Sequence, residues 1–386
     1  MMRPFAKRLQ DIEPFRVVEV LARARELERQ GRHIVHLEAG EPDFSTAEPI
    51  IRAGQAALAR GATGYSQAAG LPELREAIAR WYDDEYGLSI HPARIMVTPG
   101  ASGALLLLSA LLVNPGDGVL MADPGYPCNR NFLRLVEGEA QLVPVGAGER
   151  YQLLPGIAEQ YWQPNTAGVL VASPANPTGE SLTRAELAGL HALTRARGGF
   201  LVVDEIYHGL TYGFQAPSVL ELTDDAFVIN SFSKYFGMTG WRLGWLVAPE
   251  AAIPELEKLA QNLFISMSTM GQYAALAAFE PETRIILNGR RDIYAQRRDF
   301  LLPHLQRLGF DVPLTPGGAL YIYAGIERFS RNSQQFCLDM LESHDVAITP
   351  GADFGRHQSD THVRFAYTTG MAALEEAVAR LERVLG

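Results

Sequence analysis

The segment Ser231-Phe-Ser-Lys-Tyr-Phe-Gly-Met-Thr-Gly-Trp-Arg-Leu-Gly244 sets one primary amine among hydroxyls, aromatic rings and glycines, with no further charge until Arg242. An amine in a dry or cationic setting gives up its proton more readily and becomes a nucleophile toward a carbonyl carbon. Ser231, Ser233 and Arg242 are donors suited to an anion such as phosphate. Lys and Arg total 34, but only Lys7, Lys234 and Lys258 are lysines. Lys7 adjoins Arg8, and Lys258 lies among Glu255 and Glu257, so both read as solvated charges. Lys234 reads as a chemical group. The spacing Ser231-x-x-Lys234 also matches a serine-nucleophile motif whose family requires Lys-Thr-Gly. None of the three lysines precedes Thr-Gly, which excludes that reading.

Five further stretches carry candidate groups, four of them just past apolar runs. In Val202-Val-Asp-Glu-Ile-Tyr-His208, Asp204 is placed to sit deep and ionised against a cationic partner, or to cap a helix. Thr98-Pro-Gly-Ala-Ser-Gly-Ala104 joins a strand to an Ala/Leu-rich helix. Its N–H groups would make an anion cradle or a plain tight turn. Asn176, in Ser173-Pro-Ala-Asn-Pro-Thr-Gly179, offers amide donors within a proline-rich turn. Tyr126, in Asp-Pro-Gly-Tyr-Pro, suits stacking on a flat ring or ordinary core packing. Arg364, in His-Val-Arg-Phe-Ala-Tyr367, has the forked guanidinium that matches a carboxylate, or faces solvent from an edge strand.

The elements that must position these groups alternate. Apolar runs at 95–98, 119–122, 141–145, 168–172, 200–203, 227–229 and 243–247 predict strands. Helical patterns at 103–112, 126–136 and 184–197 lie between them. Helices are also expected at 15–30, 49–60 and 72–86, and a short strand at 33–37. Continuous apolar strands separated by helices indicate an α/β fold: a mainly parallel sheet of about seven strands covered by helices. Such sheets bind ligands at the carboxyl ends of their strands, where these motifs fall. After Pro249 the pattern turns helical, with a long helix at 281–308. Strands at 319–323, 346–348 and 362–365 then mix with helices at 333–343 and 371–385, which reads as a smaller α+β domain. The expected division is 46–285 for the large domain, and 1–45 with 286–386 for the small one.

Composition narrows the function. A length of 386 residues suits about two or three domains. The net charge of −10 argues against a nucleic-acid partner. Two cysteines without a Cys-x-x-Cys pair make a disulfide framework or a metal site an unlikely design and fit a reducing cytoplasm. The apolar stretch 104–113 is too short to cross a membrane, and the first ten residues lack a signal-like apolar region.

In this order the motifs resemble those of the fold-type I pyridoxal-phosphate aminotransferases of class I/II. The resemblance runs from about Gly40 to Tyr367 and takes in Gly-Glu-Pro-Asp-Phe, the Tyr65 loop, the glycine turn, Tyr126, Asn-Pro-Thr-Gly, Asp-Glu-Ile-Tyr, the Lys234 segment and the late Arg364. It implies pyridoxal 5'-phosphate held by Lys234 as a Schiff base, with the same lysine shuttling the substrate proton. It implies Asp204 on the pyridine nitrogen, Tyr207 and Asn176 on the ring oxygen, and Tyr126 stacked on the ring. Gly100, Ala101, Ser102, Ser231 and Arg242 would hold the phosphate, with Tyr65 reaching over from a second subunit of a homodimer. Arg364, helped by Asn176 and Gly40, would bind the substrate α-carboxylate.

The implied activity moves an amino group from an L-amino acid to a 2-oxo acid in a ping-pong cycle. A C–S β-lyase, decarboxylase or ring-forming synthase would use the same residues. A DNA-binding regulator would need a further domain of about 60–100 residues, and a dinucleotide oxidoreductase would need Gly-x-Gly-x-x-Gly. The acidic balance and the lack of spare residues for such a domain count against the first, and no Gly-x-Gly-x-x-Gly is present for the second. Dicarboxylate-specialised relatives need a second cation, and neither 12–15 nor 104–113 supplies one. We therefore expect an apolar side-chain pocket lined by Phe15, Phe264 and Tyr323.

Overall fold

Runs such as Ile-Met-Val and Phe-Leu-Val-Val are apolar throughout and end on a polar residue, so each can be covered on both faces, and a central sheet follows. The computed structural model describes residues 5–386. Its strands in chain order are β1 (Val35–His36), β2 (Ile95–Thr98), β3 (Gly118–Asp123), β4 (Glu139–Pro144), β5 (Thr166–Ala172) and β6 (Phe200–Asp204). They continue with β7 (Phe227–Ser231), β8 (Gly244–Val247), β9 (Tyr321–Gly325), β10 (Val346–Ala347), β11 (Thr349–Pro350) and β12 (His362–Ala366). The seven-stranded sheet has the order β2-β8-β7-β6-β5-β3-β4. β8 runs antiparallel to β2 and β7, and the other neighbours are parallel. Six strands therefore end on one edge of the sheet, where β8 begins. Gly100, Tyr126, Asn176, Lys234 and Arg242 lie just beyond those ends, and Asp204 closes β6.

Close packing at that edge restricts side chains. A Cβ on Gly244 would stand 2.8 Å from the Gly100 carbonyl carbon and 2.9 Å from the Ala101 nitrogen. Glycine there lets the turn after β2 lie against the start of β8.

A smaller antiparallel sheet, β11-β12-β9, pairs Arg364 with Tyr323 across β12 and β9. β1 pairs parallel with β10, tying the N-terminal segment to the last third of the chain. The helix Arg16–Arg29 buries Ala24 and Leu27 against Leu341 and Ala347.

Several elements differ in extent from the sequence expectation. β9 starts two residues late because Ala319 is turned to φ 59° and its N–H is given to the Leu210 carbonyl. The helix expected from residue 103 starts at Gly100, and the one expected from 126 starts at Cys128, after Pro127. The seven-residue helix Pro155–Tyr161 is too short to show a period and was not expected.

An aromatic cluster holds the Lys234 loop. Phe232 and Phe236, on either side of the lysine, are fully buried against Trp245 with ring centroids 4.9 and 6.0 Å away. The Trp245 indole also donates to the Tyr82 hydroxyl at 3.2 Å. Trp245→Ala should cost about 3–5 kcal/mol of stability. A fall in the urea midpoint, with activity lost in parallel to folded protein, is the expected result.

Candidate active site

The three lysines part company in the structure. Lys7 is exposed, and Lys258 pairs with Glu255 on an exposed helix face. Lys234 is half-buried on the turn after β7, and its Nζ donates to the Gly40 carbonyl at 2.7 Å. It lines a cleft of ≈ 450 Å³ that also receives Ala101, Ser102, Tyr126, Asn176, Asp204, Tyr207, Ser231, Arg242, Arg364 and Gly40.

Asp204 is 4% exposed, and one of its oxygens accepts the Ile206 N–H at 3.1 Å. Burial pushes its carboxyl up to about 7, against smaller downward pulls from that N–H and from Lys234. The Arg364 guanidinium is 2% exposed. Nη1 donates to Asn176 Oδ1 at 2.9 Å, and Nη2 donates to the Glu38 carbonyl at 2.7 Å. Nε is buried without a partner. Among the described residues no carboxylate is in direct contact with this cation, although burial pushes the nearby Asp353 carboxyl up and the Arg364 charge is among the pulls against that rise. With Oδ1 turned to Arg364, the Asn176 amide keeps its two N–H donors for the cleft.

At the far end, Arg242 adopts a left-handed backbone at φ 54° and donates to the Thr239 carbonyl at 3.1 Å. Its Nη2 lies 2.8 Å from where a Cβ on Gly100 would stand. The first turn of the helix Gly100–Leu112 therefore meets a guanidinium, as an anion cradle requires. Ser231 Oγ is occupied internally, donating to the Leu243 carbonyl at 3.1 Å and lying 3.0 Å from Ser233 Oγ. Tyr126 stands edge-on to Phe15, with centroids 6.3 Å apart.

A cleft lined by an amine, a buried carboxyl, an anion cradle and a guanidinium without a carboxylate contact among the described residues suits an amino-acid enzyme. Residues 32–381 match the family model described as aminotransferase class I and II. The chain belongs to this family. It is 38% identical to the valine–pyruvate aminotransferase of Mycobacterium tuberculosis, over 96% of each chain. It is 34% identical to the aspartate/prephenate aminotransferase of Thermus thermophilus, over 100% of each. The crystal structure of an aminotransferase from Mycobacterium tuberculosis superposes with a TM-score of 0.97 at 38% identity, covering 100% of this chain and 99% of that one. The protein is thus an aminotransferase, an enzyme that moves amino groups between amino acids and 2-oxo acids.

The family implies pyridoxal 5'-phosphate, and the residues present in this aminotransferase fit it. The cradle at Gly100 and Arg242 suits the phosphate, and the dry Asp204 carboxyl suits a ring nitrogen that carries a proton. Among the described residues no cluster of His, Cys, Asp and Glu is arranged to hold a metal, and no helix is long and apolar enough to cross a membrane.

Two expected pocket residues lie elsewhere. Phe264 packs against the core rather than the cleft. Tyr323 is two positions farther along β9 than the cleft reaches and is stacked on His362, with centroids 4.9 Å apart. Phe15 does line the cleft. Tyr65 is 84% exposed and stands outside the cleft of its own chain. Sequence reading missed Tyr321, which lines the cleft together with Val17, Val18, Leu21 and Leu105. Period-two alternation puts Tyr321 and Tyr323 on one face of β9, and that signal does not say which tyrosine the cleft reaches.

Burial also pushes the neighbouring Glu205 carboxyl up to about 8, despite bonds from Ser218 and the Val219 N–H. In the ligand-free fold both carboxyls keep a proton that an unfolded chain, with carboxyls near pH 4, has released. Stability of the ligand-free aminotransferase should therefore fall as pH rises from about 4 to about 7–8. Denaturation midpoints across that range should show the fall, and Asp204→Asn should make it shallower.

Proposed function

We propose that this aminotransferase transfers the amino group of an apolar L-amino acid to a 2-oxo acid in a ping-pong cycle, with pyridoxal 5'-phosphate held on Lys234. The observation that carries the reading is Arg364, a buried guanidinium with no carboxylate partner among the described residues, in the same cleft as Lys234. A substrate α-carboxylate supplies the missing anion, and the fork geometry then fixes the substrate's orientation.

When bound, the cofactor supplies a conjugated ring that takes up the electron pair left when the substrate's Cα–H bond breaks. Lys234 Nζ, released once the substrate amine takes its place, would accept that proton and hand it back. Asp204, ionised once a cation adjoins it, keeps the ring nitrogen protonated. Tyr207 and the Asn176 amide would donate to the ring oxygen, and Tyr126 would stack on the ring; all three line the cleft. Gly100, Ala101, Ser102 and Arg242 would hold the phosphate, joined by Ser231 once its hydroxyl turns from the Leu243 carbonyl. Tyr65 serves the neighbouring subunit of a homodimer, and its 84% exposure in the single chain supports this. The free cysteines Cys128 and Cys337 support a cytoplasmic setting. We also assign residues 46–285 to a large domain, and 1–45 with 286–386 to a small one. The helix Pro281–Leu308 crosses that boundary.

The substrate side chain meets Phe15, Val17, Val18, Leu21 and Leu105. The cations lining the cleft are Lys234, Arg242 and Arg364, each already given a task, so none is left for a distal carboxylate. The relative named valine–pyruvate aminotransferase supports an apolar donor and a small 2-oxo acid acceptor.

The purified protein should show a visible cofactor band that bleaches with valine and is restored by pyruvate. Lys234→Ala should abolish the bleaching. A protein that stays colourless with added cofactor would sink the assignment, and release of pyruvate and ammonia from a cysteine-like substrate would redirect it to a lyase. Arg364→Gln should raise KM for the amino acid about a hundredfold, the size of a lost charge-assisted pair. Rates with leucine, methionine or phenylalanine should exceed those with aspartate, and the reverse order would overturn the apolar pocket.

A further inference from the structure

Tyr321, the first residue of β9, touches three groups that the proposed function gives to different tasks. It is 1% exposed. Its hydroxyl donates to the Gly40 carbonyl at 3.2 Å and lies 2.8 Å from the Tyr207 hydroxyl. The same Gly40 carbonyl accepts Lys234 Nζ at 2.7 Å. The Arg364 guanidinium sits over the Tyr321 ring, 4.2 Å from its centroid. A Cβ on Gly40 would stand 2.6 Å from the Tyr321 hydroxyl, so glycine at 40 is what permits the contact.

Counting protons gives this junction a direction. A phenol has one proton to donate. Either hydroxyl can donate across the Tyr207–Tyr321 contact, but where Tyr321 gives its proton to the Gly40 carbonyl, Tyr207 must give its own to Tyr321. Once Tyr207 donates to an oxygen of a bound ligand, its oxygen becomes the better acceptor, because hydrogen bonds in a chain polarise one another. The Tyr321 proton then turns to Tyr207, and the Gly40 carbonyl is left to the Lys234 amine at the stages when that amine is free. The geometry points to Tyr321 as a positioning residue that couples ligand contact at Tyr207 to the carbonyl holding the Lys234 amine, while its ring supports the carboxylate-binding guanidinium. This rests on the assignment of Lys234 and Tyr207 to the cofactor.

The test compares the holoenzymes of the wild type, Tyr321→Phe, Tyr321→Leu and Gly40→Ala, by steady-state kinetics and by the pH midpoint of the visible absorption band. Tyr321→Phe keeps the ring and loses the hydroxyl. Its KM for the amino acid should stay within about twofold, and its kcat should fall about fivefold, the scale of one neutral hydrogen bond. Without Tyr321 donating to it, Tyr207 is a weaker donor to an anionic ring oxygen. The midpoint should therefore rise by about half a pH unit. Tyr321→Leu should raise KM as well, because Arg364 loses its support.

A residue that only filled space would change yield or melting temperature and leave the midpoint alone. An unchanged kcat and midpoint in Tyr321→Phe overturns the inference. Gly40→Ala displaces the hydroxyl from a retained tyrosine and should also raise the midpoint. It decides the matter if Tyr321→Phe does not fold, and a wild-type midpoint there overturns the inference too. A wild type without a visible band, or a band unaffected by Lys234→Ala, would instead overturn the lysine assignment on which this link rests.

Discussion

Burying the Arg364 guanidinium with no carboxylate in direct contact among the described residues, and only the charge of Asp353 nearby, is the constraint that organises this molecule. A cation taken out of water must recover its hydration from oriented dipoles and ring faces, or it will not stay. The recovery here comes from segments far apart in the chain: the Glu38 carbonyl, Asn176 Oδ1, the Thr349 hydroxyl at 3.4 Å, and the rings of Tyr321 and Phe354. Satisfying one side chain therefore draws together the N-terminal segment, the turn after β5 and the small antiparallel sheet. The cleft is the space they enclose.

The other end of the cleft follows from the direction of the strands. Because only β8 is reversed, the helix start at Gly100, the Asp204 carboxyl and the Lys234 turn all reach one edge of the sheet. Arg242 enters that edge on the way into β8. The result gathers in one cleft a cradle for an anion, a dry carboxyl and a guanidinium, each held by its own contacts. Such groups, already desolvated and held by packing, act on a developing charge without first rearranging. Phe232 and Phe236 give the lysine turn the same rigidity from below.

Much of this was legible in the sequence, and what was not has physical reasons. Lys234 stood out by composition, and Asp204, Asn176 and Gly100 by following apolar runs whose ends a parallel sheet must bring together. The helices Pro72–Tyr86, Arg184–Arg197 and Pro281–Leu308 match their sequence patterns at both ends. Tyr321 was missed in favour of Tyr323 because both project from one face of β9. Arg364 lies directly across from Tyr323 yet leans along the strand to cover Tyr321. That diagonal contact depends on side-chain direction, which a pattern of residue types does not carry. Phe264 failed for a related reason: its segment ends a helix whose rotation was not fixed by neighbours in sequence. Val17, Val18 and Leu21 reach the cleft because the helix Arg16–Arg29 packs against a strand pair closed by residues more than three hundred positions later.

The scarcity of lysine also makes the chain unusually simple to read by chemistry. A protease that cuts after lysine has three places to act, and the long piece 8–234 meets the short piece 235–258 at the half-buried amine. Any group left covalently on that amine closes the cut and fuses the two pieces, whereas the cuts at Lys7 and Lys258, on exposed amines, go on as before. Occupancy of a single buried nitrogen is thereby written into the masses of two peptides.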